Sequence, residues 1–515
     1  MALHRPLCPD GRSAGDLDAV AHCPEGSRPF VLAATILASA MGFIDGTVVT
    51  IALPSIQKDF GADFTTLQWV VNGYALMLGS LILVGGGAGD KFGRRRVFLI
   101  GIGLFVLASL CCALAPGLAA LIFARICQGV GAALMIPQSL AIIAASFPKD
   151  VRGRAIGIWA GASAITTALG PPLGGFLIDT LSWRAAFWIN VPIAAAVVWL
   201  TLRHVPESRS EDAEGGLDWT GGVLAVIGFG ALTLSLTTAS QTAAFSVSAL
   251  MWLALGVVGI VAFLVMEHRV KQPLMPPSLF KSKAFTGANL TTLFLYGAFT
   301  AMLFLLPFDL IGLRGYSSAE VGLILLPIGL VIGVASRSAG HWADHTGPRL
   351  PLILGSLIVA VGAGVFALNL QNFWIGVFLP ILVVSAGMAV VVAPLTTAVM
   401  NAAPNALSGA ASGINNAASR IAGLFAVAIV GSAATIVFLS NLVGAGIAND
   451  AAKPRFGSFP DVSSAARPAV EAAFLHAYGA AMLIAAAFGA LAALTAYLTV
   501  QDVPAKRTKH RLKDF

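Results

Sequence analysis

The sequence predicts an all-α integral membrane protein of fourteen transmembrane helices. Three observations predict it. Of 515 residues, 57% are hydrophobic and 11% charged, with a mean hydropathy of +0.86; a soluble domain is about 25% charged and about 45–50% apolar. The apolar residues gather into runs of roughly 20, the length a helix needs to cross hydrocarbon. Most of the 31 Lys and Arg residues fall in alternate loops between those runs, the asymmetry that fixes orientation.

In chain order the first six spans lie near 30–54, 67–88, 97–115, 118–141, 153–178 and 185–202. Two more lie near 219–239 and 247–266. The second set of six lies near 287–312, 320–340, 350–368, 373–399, 410–440 and 476–499. The run from Trp219 is the softest, being rich in Gly and Thr. The expected organisation is a cytoplasmic tail (1–29), a six-helix half (30–202), a linker with the two extra helices (203–286), a second half (287–499) and a basic tail (500–515). Residues 441–475 make a long outer loop, and Glu207–Asp218 is a charged cytoplasmic linker. The first apolar run starts only at Phe30 and is long enough to be retained, so no cleaved signal peptide is expected.

The net charge of +7 is explained by placement. RRR at 94–96 and the tail KRTKHRLK face anionic headgroups of the lipid bilayer on the cytoplasmic side, so both termini are expected there and no nucleic-acid partner is expected. Five cysteines are too few for a disulfide framework, and Cys111, Cys112 and Cys127 lie in apolar runs. The eight His are scattered without metal spacing, no phosphate-binding GxxxxGK[ST] occurs, and neither an enzyme site nor a cofactor is expected. An ion gradient is left as the energy source.

Within this apolar chain, residues 89–98 read GDKFGRRRVF. Short cytoplasmic turns collect cations simply to set topology, so RRR alone means little. A related stretch, GHWADHTGPR, recurs at 340–349: Asp90, Gly93 and Arg94 in the first copy correspond to Asp344, Gly347 and Arg349 in the second. Gly permits a positive φ at the turn, and Asp can cap a neighbouring helix start. A charged turn that recurs after a span points to two related halves, as internal repeats do in transporters.

With its Gly89, Asp90, Gly93, Arg94, Arg95 and Arg96, the first copy resembles the loop between the second and third helices of the major facilitator superfamily. Three other stretches carry the same resemblance, specifically to its fourteen-helix drug:proton antiporter branch. DGTVVTIALPSI (Asp45–Ile56) resembles the first-helix signature of that branch. RICQGVGAA matches an Arg-x-x-Gln-Gly-x-Gly pattern at Arg125, Gln128, Gly129 and Gly131. GPPLGG, with Gly170, Pro171, Pro172, Gly174 and Gly175, resembles the antiporter motif. At Ile311 the branch commonly has Gln, so a role carried by that Gln is not expected here. The resemblance implies proton-coupled export of lipophilic, often cationic compounds across a bacterial inner membrane by alternating access. In that reading the two charged turns gate the cytoplasmic side, with Asp90 latching it shut across the bundle in the outward-facing state.

Individual side chains carry this chemistry. Asp45 lies inside the first span, where hydrocarbon penalises the charged carboxylate and favours proton uptake. Arg125 also lies within a span, and burying it unpaired is costly, so it is expected to face a carboxylate or a cavity. The resemblance gives both a role in proton coupling; the plainer readings are a packing Asp and a snorkelling Arg. Gln128, one turn away, orients that pair or binds substrate. Gly157 and Gly161, on GxxxG spacing, are expected to let the fifth helix approach a neighbour closely. Asn416 and Arg420 share a face at i, i+4 and are candidates to line a substrate cavity. Trp69, Asn72 and Tyr74 either line an aromatic cavity or belong to an interfacial belt. Asp309 and Arg314 are expected to be exposed at the outer interface, where Asp309 contacts a cationic substrate in the alternative reading. Two further hypotheses are an exporter dedicated to one metabolite and a non-transporting sensor of the same fold; a periplasmic adaptor is undetermined.

Overall fold

The computed structural model describes residues 25–209, 217–242, 246–270, 273–404, 407–446, 456–457 and 466–500. Most of the N-terminal tail with Cys8 and Cys23, the basic tail, most of the acidic linker and residues 447–455 and 458–465 of the expected outer loop lie outside the described residues; the ends of that loop, 441–444 and 467–475, are helical, because the helices run past their hydrophobic spans.

Among the described residues, fourteen helices are long and apolar enough to span a bilayer. The first half holds α1 (Arg28–Phe60), α2 (Phe64–Phe92), α3 (Arg94–Ala113), α4 (Leu118–Ser146), α5 (Val151–Thr180) and α6 (Ala185–His204). The two extra helices are α7 (Trp219–Ala239) and α8 (Val247–Arg269). The second half holds α9 (Lys283–Leu313), α10 (Ser318–Thr346), α11 (Arg349–Ala367), α12 (Trp374–Asn401), α13 (Gly409–Gly444) and α14 (Arg467–Thr499). The soft run at Trp219 is a helix after all. Several helices outrun their predicted spans, α1 continuing through the polar Gln57, Lys58 and Asp59 to stop at Gly61. Hydropathy marks where hydrocarbon ends, whereas backbone hydrogen bonding carries the helix on to a cap.

Local sequence sets the ends. Asp63 caps α2 by accepting from the Thr66 N–H at 2.8 Å, and Ser317 with Glu320 forms a capping box on α10. Both charged turns place their glycine at positive φ, 104° at Gly93 and 84° at Gly347, so the recurrence seen in sequence is also a recurrence of backbone shape.

The halves meet along two seams, α5 against α10 and α2 against α13. On the face opposite the RRR turn the seal is dense. Phe64 of α2 packs its ring against Phe308 of α9 at 5.0 Å and Phe456 at 4.6 Å. Gln57 of α1 donates to the Phe456 carbonyl at 3.1 Å. Asp179 at the end of α5 accepts from the Ser318 and Ala319 N–H groups at 3.1 and 2.7 Å, so one half caps a helix of the other. That cap adds a carboxylate at a helix N-terminus, worth about 0.5–1 kcal/mol at an exposed position. Asp179→Ala is accordingly expected to loosen this face, read as faster thiol labelling of a cysteine placed at Phe64 in a cysteine-free background. An unchanged labelling rate would show that the aromatic packing alone holds the seal.

Towards the RRR face, the picture reverses. Gly157 and Gly161 are exposed and a methyl group at either would meet nothing within 4 Å. The expected close packing at these two glycines is therefore corrected. In this conformation the RRR-side half of α5 packs on α1 through Ala155 and Trp159, whose Nε1 donates to Ser39 Oγ at 3.1 Å, and presents Gly157 and Gly161 to the exposed side; the close approach is made further along, at Gly170, Gly174 and Gly175.

Candidate functional site

Asp45 and Arg125 come together in the middle of the first half. Arg125 Nη1 donates to Asp45 Oδ2 at 2.5 Å, and the two side chains are 1% and 0% exposed. Gln128 closes a triangle. Its Nε2 donates to Asp45 Oδ1 at 2.8 Å, and its Oε1 accepts from Arg125 Nη1 at 2.7 Å. Arg125 Nε donates to the Val70 carbonyl at 2.9 Å, and its guanidinium lies 4.3 Å from the centroid of the Tyr74 ring. Residues on α1, α2 and α4 thus satisfy a cation that can neither deprotonate nor reach water. The snorkelling reading of Arg125 is excluded by that burial. Breaking such a pair by removing one partner costs about 3–5 kcal/mol.

The GPPLGG stretch lies directly beside this triangle. A methyl group at Gly174 would sit 2.6 Å from the Val48 side chain, and Gly170 faces Thr47 and Ile44, so α5 seats on the same stretch of α1 that carries Asp45. The other side of α5 meets α10: a methyl at Gly322 would lie 2.7 Å from Pro172 Cα, and Gly175 abuts the Ser318 backbone. The glycines thus let one helix touch both the ion pair's helix and the opposite half.

The charged turn is anchored locally, to the end of α6 and to the start of the linker that follows it. Arg94 donates to Asp90 Oδ1 from Nε at 3.0 Å and from Nη2 at 2.8 Å. The Arg95 N–H donates to Glu207 Oε1 at 3.1 Å, Arg95 Nη2 to the Leu202 carbonyl at 3.1 Å, and Arg96 lies 3.8 Å from Glu207. Gly89 abuts Gln138, whose Nε2 donates to the Gly85 carbonyl at 2.7 Å. The expected latch across the bundle is not present in this conformation, where the Asp90 ion pair is local, with Arg94 four residues on. A half-exposed pair of this kind contributes about 0–1 kcal/mol. Asp90→Asn is therefore expected to leave the melting temperature almost unchanged. If transport nonetheless falls tenfold or more, Asp90 acts in the other conformation; a matching loss of stability would make its role structural. In the second copy Asp344 is exposed and Arg349 donates to the Tyr497 carbonyl at 2.8 Å.

The candidate cavity residues divide. Asn416 is exposed, and Arg420 is partly buried against Gly79 of α2. Tyr74 and Asn72 are buried and Trp69 is partly buried, so the first two do not form an interfacial belt. Asp309 corrects an expectation: it is 1% exposed rather than interfacial, and Arg314 Nε donates to its Oδ2 at 2.9 Å. The cause is a π-helical segment, Phe308–Leu313, which ends α9 and turns the carboxylate inward, while Arg314 also reaches the Gln371 and Leu370 carbonyls. Sequence reading missed Asp179, Glu207 and the Asn415 link to Thr292, since each acts on a partner distant in sequence. Among the described residues no group of three or more His, Cys, Asp or Glu is placed to hold a metal.

Two helical halves sealed together on the face opposite the RRR turn, with a buried ion pair beside the seam, define a multi-pass membrane transporter. Residues 35–427 match the Major Facilitator Superfamily, and the chain belongs to that family. It is 35% identical to the multidrug resistance protein Stp of Mycobacterium tuberculosis, over 77% of this chain and 75% of that protein. It is 30% identical to the tetracenomycin C resistance and export protein of Streptomyces glaucescens, over 95% of both. The puromycin resistance protein pur8 of Streptomyces alboniger is 35% identical over 80% of this chain and 83% of its own. Among solved structures, an inward-facing bacterial homologue of the human lysosomal transporter Spinster superposes with a TM-score of 0.68 at 17% identity. It covers 93% of this chain and 98% of that one.

Proposed function

We propose that the protein exports drug- or antibiotic-like lipophilic compounds across the bacterial inner membrane, driven by protons entering through Asp45. The observation that carries this reading is the buried Asp45–Arg125–Gln128 triangle, set against the helix that joins both halves. The resistance and export proteins among its relatives supply the substrate class. In this reading the RRR face is cytoplasmic, both termini lie there, and the described conformation is open to the cytoplasm. A proton arriving at Asp45 removes the counter-charge of Arg125. The protonated state then favours a rearrangement in which α1 shifts on the Gly170 and Gly174 surface of α5, and α5 on α10.

The test is uptake of a fluorescent lipophilic dye by everted membrane vesicles that hold a proton gradient. Uptake by vesicles with the protein, absent from vesicles without it and abolished by a protonophore, is the expected result. Uptake indifferent to the protonophore would sink proton coupling while keeping transport.

A further inference from the structure

We infer that Asp218 and Glu267 form a binding site for a hydrated divalent cation of the magnesium type, at the base of the two extra helices on the RRR side. The site lies outside the residues assigned to transport and does not depend on what the chain carries.

Asp218 immediately precedes α7, and Glu267 lies in the last turn of α8. Close antiparallel packing brings these ends together, since a methyl group at Gly259 of α8 would lie 2.8 Å from Gly228 Cα of α7. Leu217, beside Asp218, reaches Gly87 near the end of α2, where a methyl group would lie 2.9 Å from it; the pair therefore sits on the face of the charged turn. Asp218 is 7% and Glu267 1% exposed. Each carboxyl group is held by one oxygen only. Asp218 Oδ1 accepts from the Gly221 N–H at 2.8 Å, and Glu267 Oε2 from the Met275 N–H at 2.8 Å. The other two oxygens, Asp218 Oδ2 and Glu267 Oε1, are buried without a hydrogen-bond partner. Both converge on one small space above Gly221: a methyl group there would collide with Asp218 Oδ2 and lie 3.0 Å from Glu267 Oε1.

Carboxylates that converge repel one another, and burial removes the water that would screen them. Among the described residues no Lys, Arg or His forms an ion pair with either one. His268 is turned along its own helix, its Nδ1 donating to the Leu264 carbonyl at 2.8 Å, and Lys281 is exposed. A positive charge from outside the chain completes the pair, and the donors decide its kind. Two anionic oxygens, with no thiolate or imidazole, select a hard cation, and a divalent one matches their charge. Magnesium usually keeps several of its waters and takes only one or two carboxylates, which fits a site that offers two. Glu267 lines a cavity of about 530 Å³ together with Ser278 and Lys281, which gives those waters room. Gly221 is then part of the site, because a side chain there would fill the place of the ion. Through the Met275 N–H, Glu267 also holds the segment that leads into α9, so the ion would clamp α7, α8 and the entry to the second half at one point.

The experiment uses the full chain, purified in a maltoside detergent and stripped of metal with a chelator. It is titrated with MnCl2, a paramagnetic stand-in for magnesium, and free Mn2+ is read by electron paramagnetic resonance. Wild type is expected to bind one Mn2+ per chain, to release it to MgCl2, and to melt at a higher temperature in MgCl2 than in chelator. Asp218→Asn and Glu267→Gln are each expected to weaken Mn2+ binding by roughly tenfold or more and to remove the response of the melting temperature to MgCl2. Gly221→Ala keeps both carboxyl groups and is expected to do the same by filling the space between them. No Mn2+ bound by wild type overturns the proposal, and so does binding that all three variants retain unchanged, since the ion then lies elsewhere. A melting temperature that is indifferent to MgCl2 but rises on acidification, and no longer does so in Glu267→Gln, overturns it in favour of a proton shared by the two carboxyl groups.

Discussion

Asp45→Asn is expected to reduce gradient-driven transport to the level of empty vesicles and to destabilise the protein more than Arg125→Leu does. Both changes break the same ion pair, but their aftermaths differ. When Arg125 is removed, the orphaned Asp45 carboxyl takes a proton and becomes neutral, which hydrocarbon tolerates. When Asp45 becomes Asn, Arg125 keeps its charge because no accessible pH neutralises it, and a buried cation remains with only amide and carbonyl oxygens. Loss of one partner costs about 3–5 kcal/mol, and Asp45→Asn should approach that figure while Arg125→Leu falls short of it. The double variant should be more stable than Asp45→Asn alone, since the stranded charge is gone. Thermal denaturation in detergent of the four proteins of this cycle measures the coupling. Equal losses from the two single changes would mean the pair is wetter than its burial indicates.

Gly175→Val should produce the second large effect. Gly175 abuts the Ser318 backbone across the seam between halves, and a backbone neighbour cannot rotate aside as a side chain can. Overpacking of this kind costs about 1–3 kcal/mol, and here the strain falls on the contact that closes one face. The expected outcome is transport lowered at least tenfold, together with faster labelling of a cysteine at Ser318 in a cysteine-free background. Normal transport with slow labelling would show that α10 can yield locally without opening the seam. Gly157→Val is the matched control, because that position meets nothing within 4 Å; it should leave the seal unaffected in this conformation.

The fold was legible because hydropathy acts over about 20 residues at a time, and each span carried its own signal. The candidate site was legible as a set of expensive residues: Asp45 and Arg125 stand out because charge in hydrocarbon demands a reason. Their pairing was not legible, since the partners are separated by 80 positions and only packing brings α1 beside α4. Asp179 was invisible for a related reason, as a carboxylate at a helix end looks like surface until the helix it caps is seen. The GxxxG spacing at Gly157 misled because spacing reports a capacity for close packing and not whether a neighbour is present in a given state. Asp309 was misplaced because a carboxylate at the end of a span reads as interfacial until packing shows it sealed against Arg314.

The pair α7–α8 bears on how the protein meets the lipid. Helix α7 lies across the α2–α13 seam, with Gly222 against Val84, Gly230 against Leu76, Phe229 edge-on to Phe425 at 5.9 Å, and Ser432 donating to the Leu236 carbonyl at 3.0 Å. Of the two lateral clefts such a two-half bundle presents to the bilayer, this one is roofed over and the α5–α10 cleft is bare. The protein thus faces lipid asymmetrically: one flank is covered by a further helix, while the other shows the exposed glycines Gly157 and Gly161.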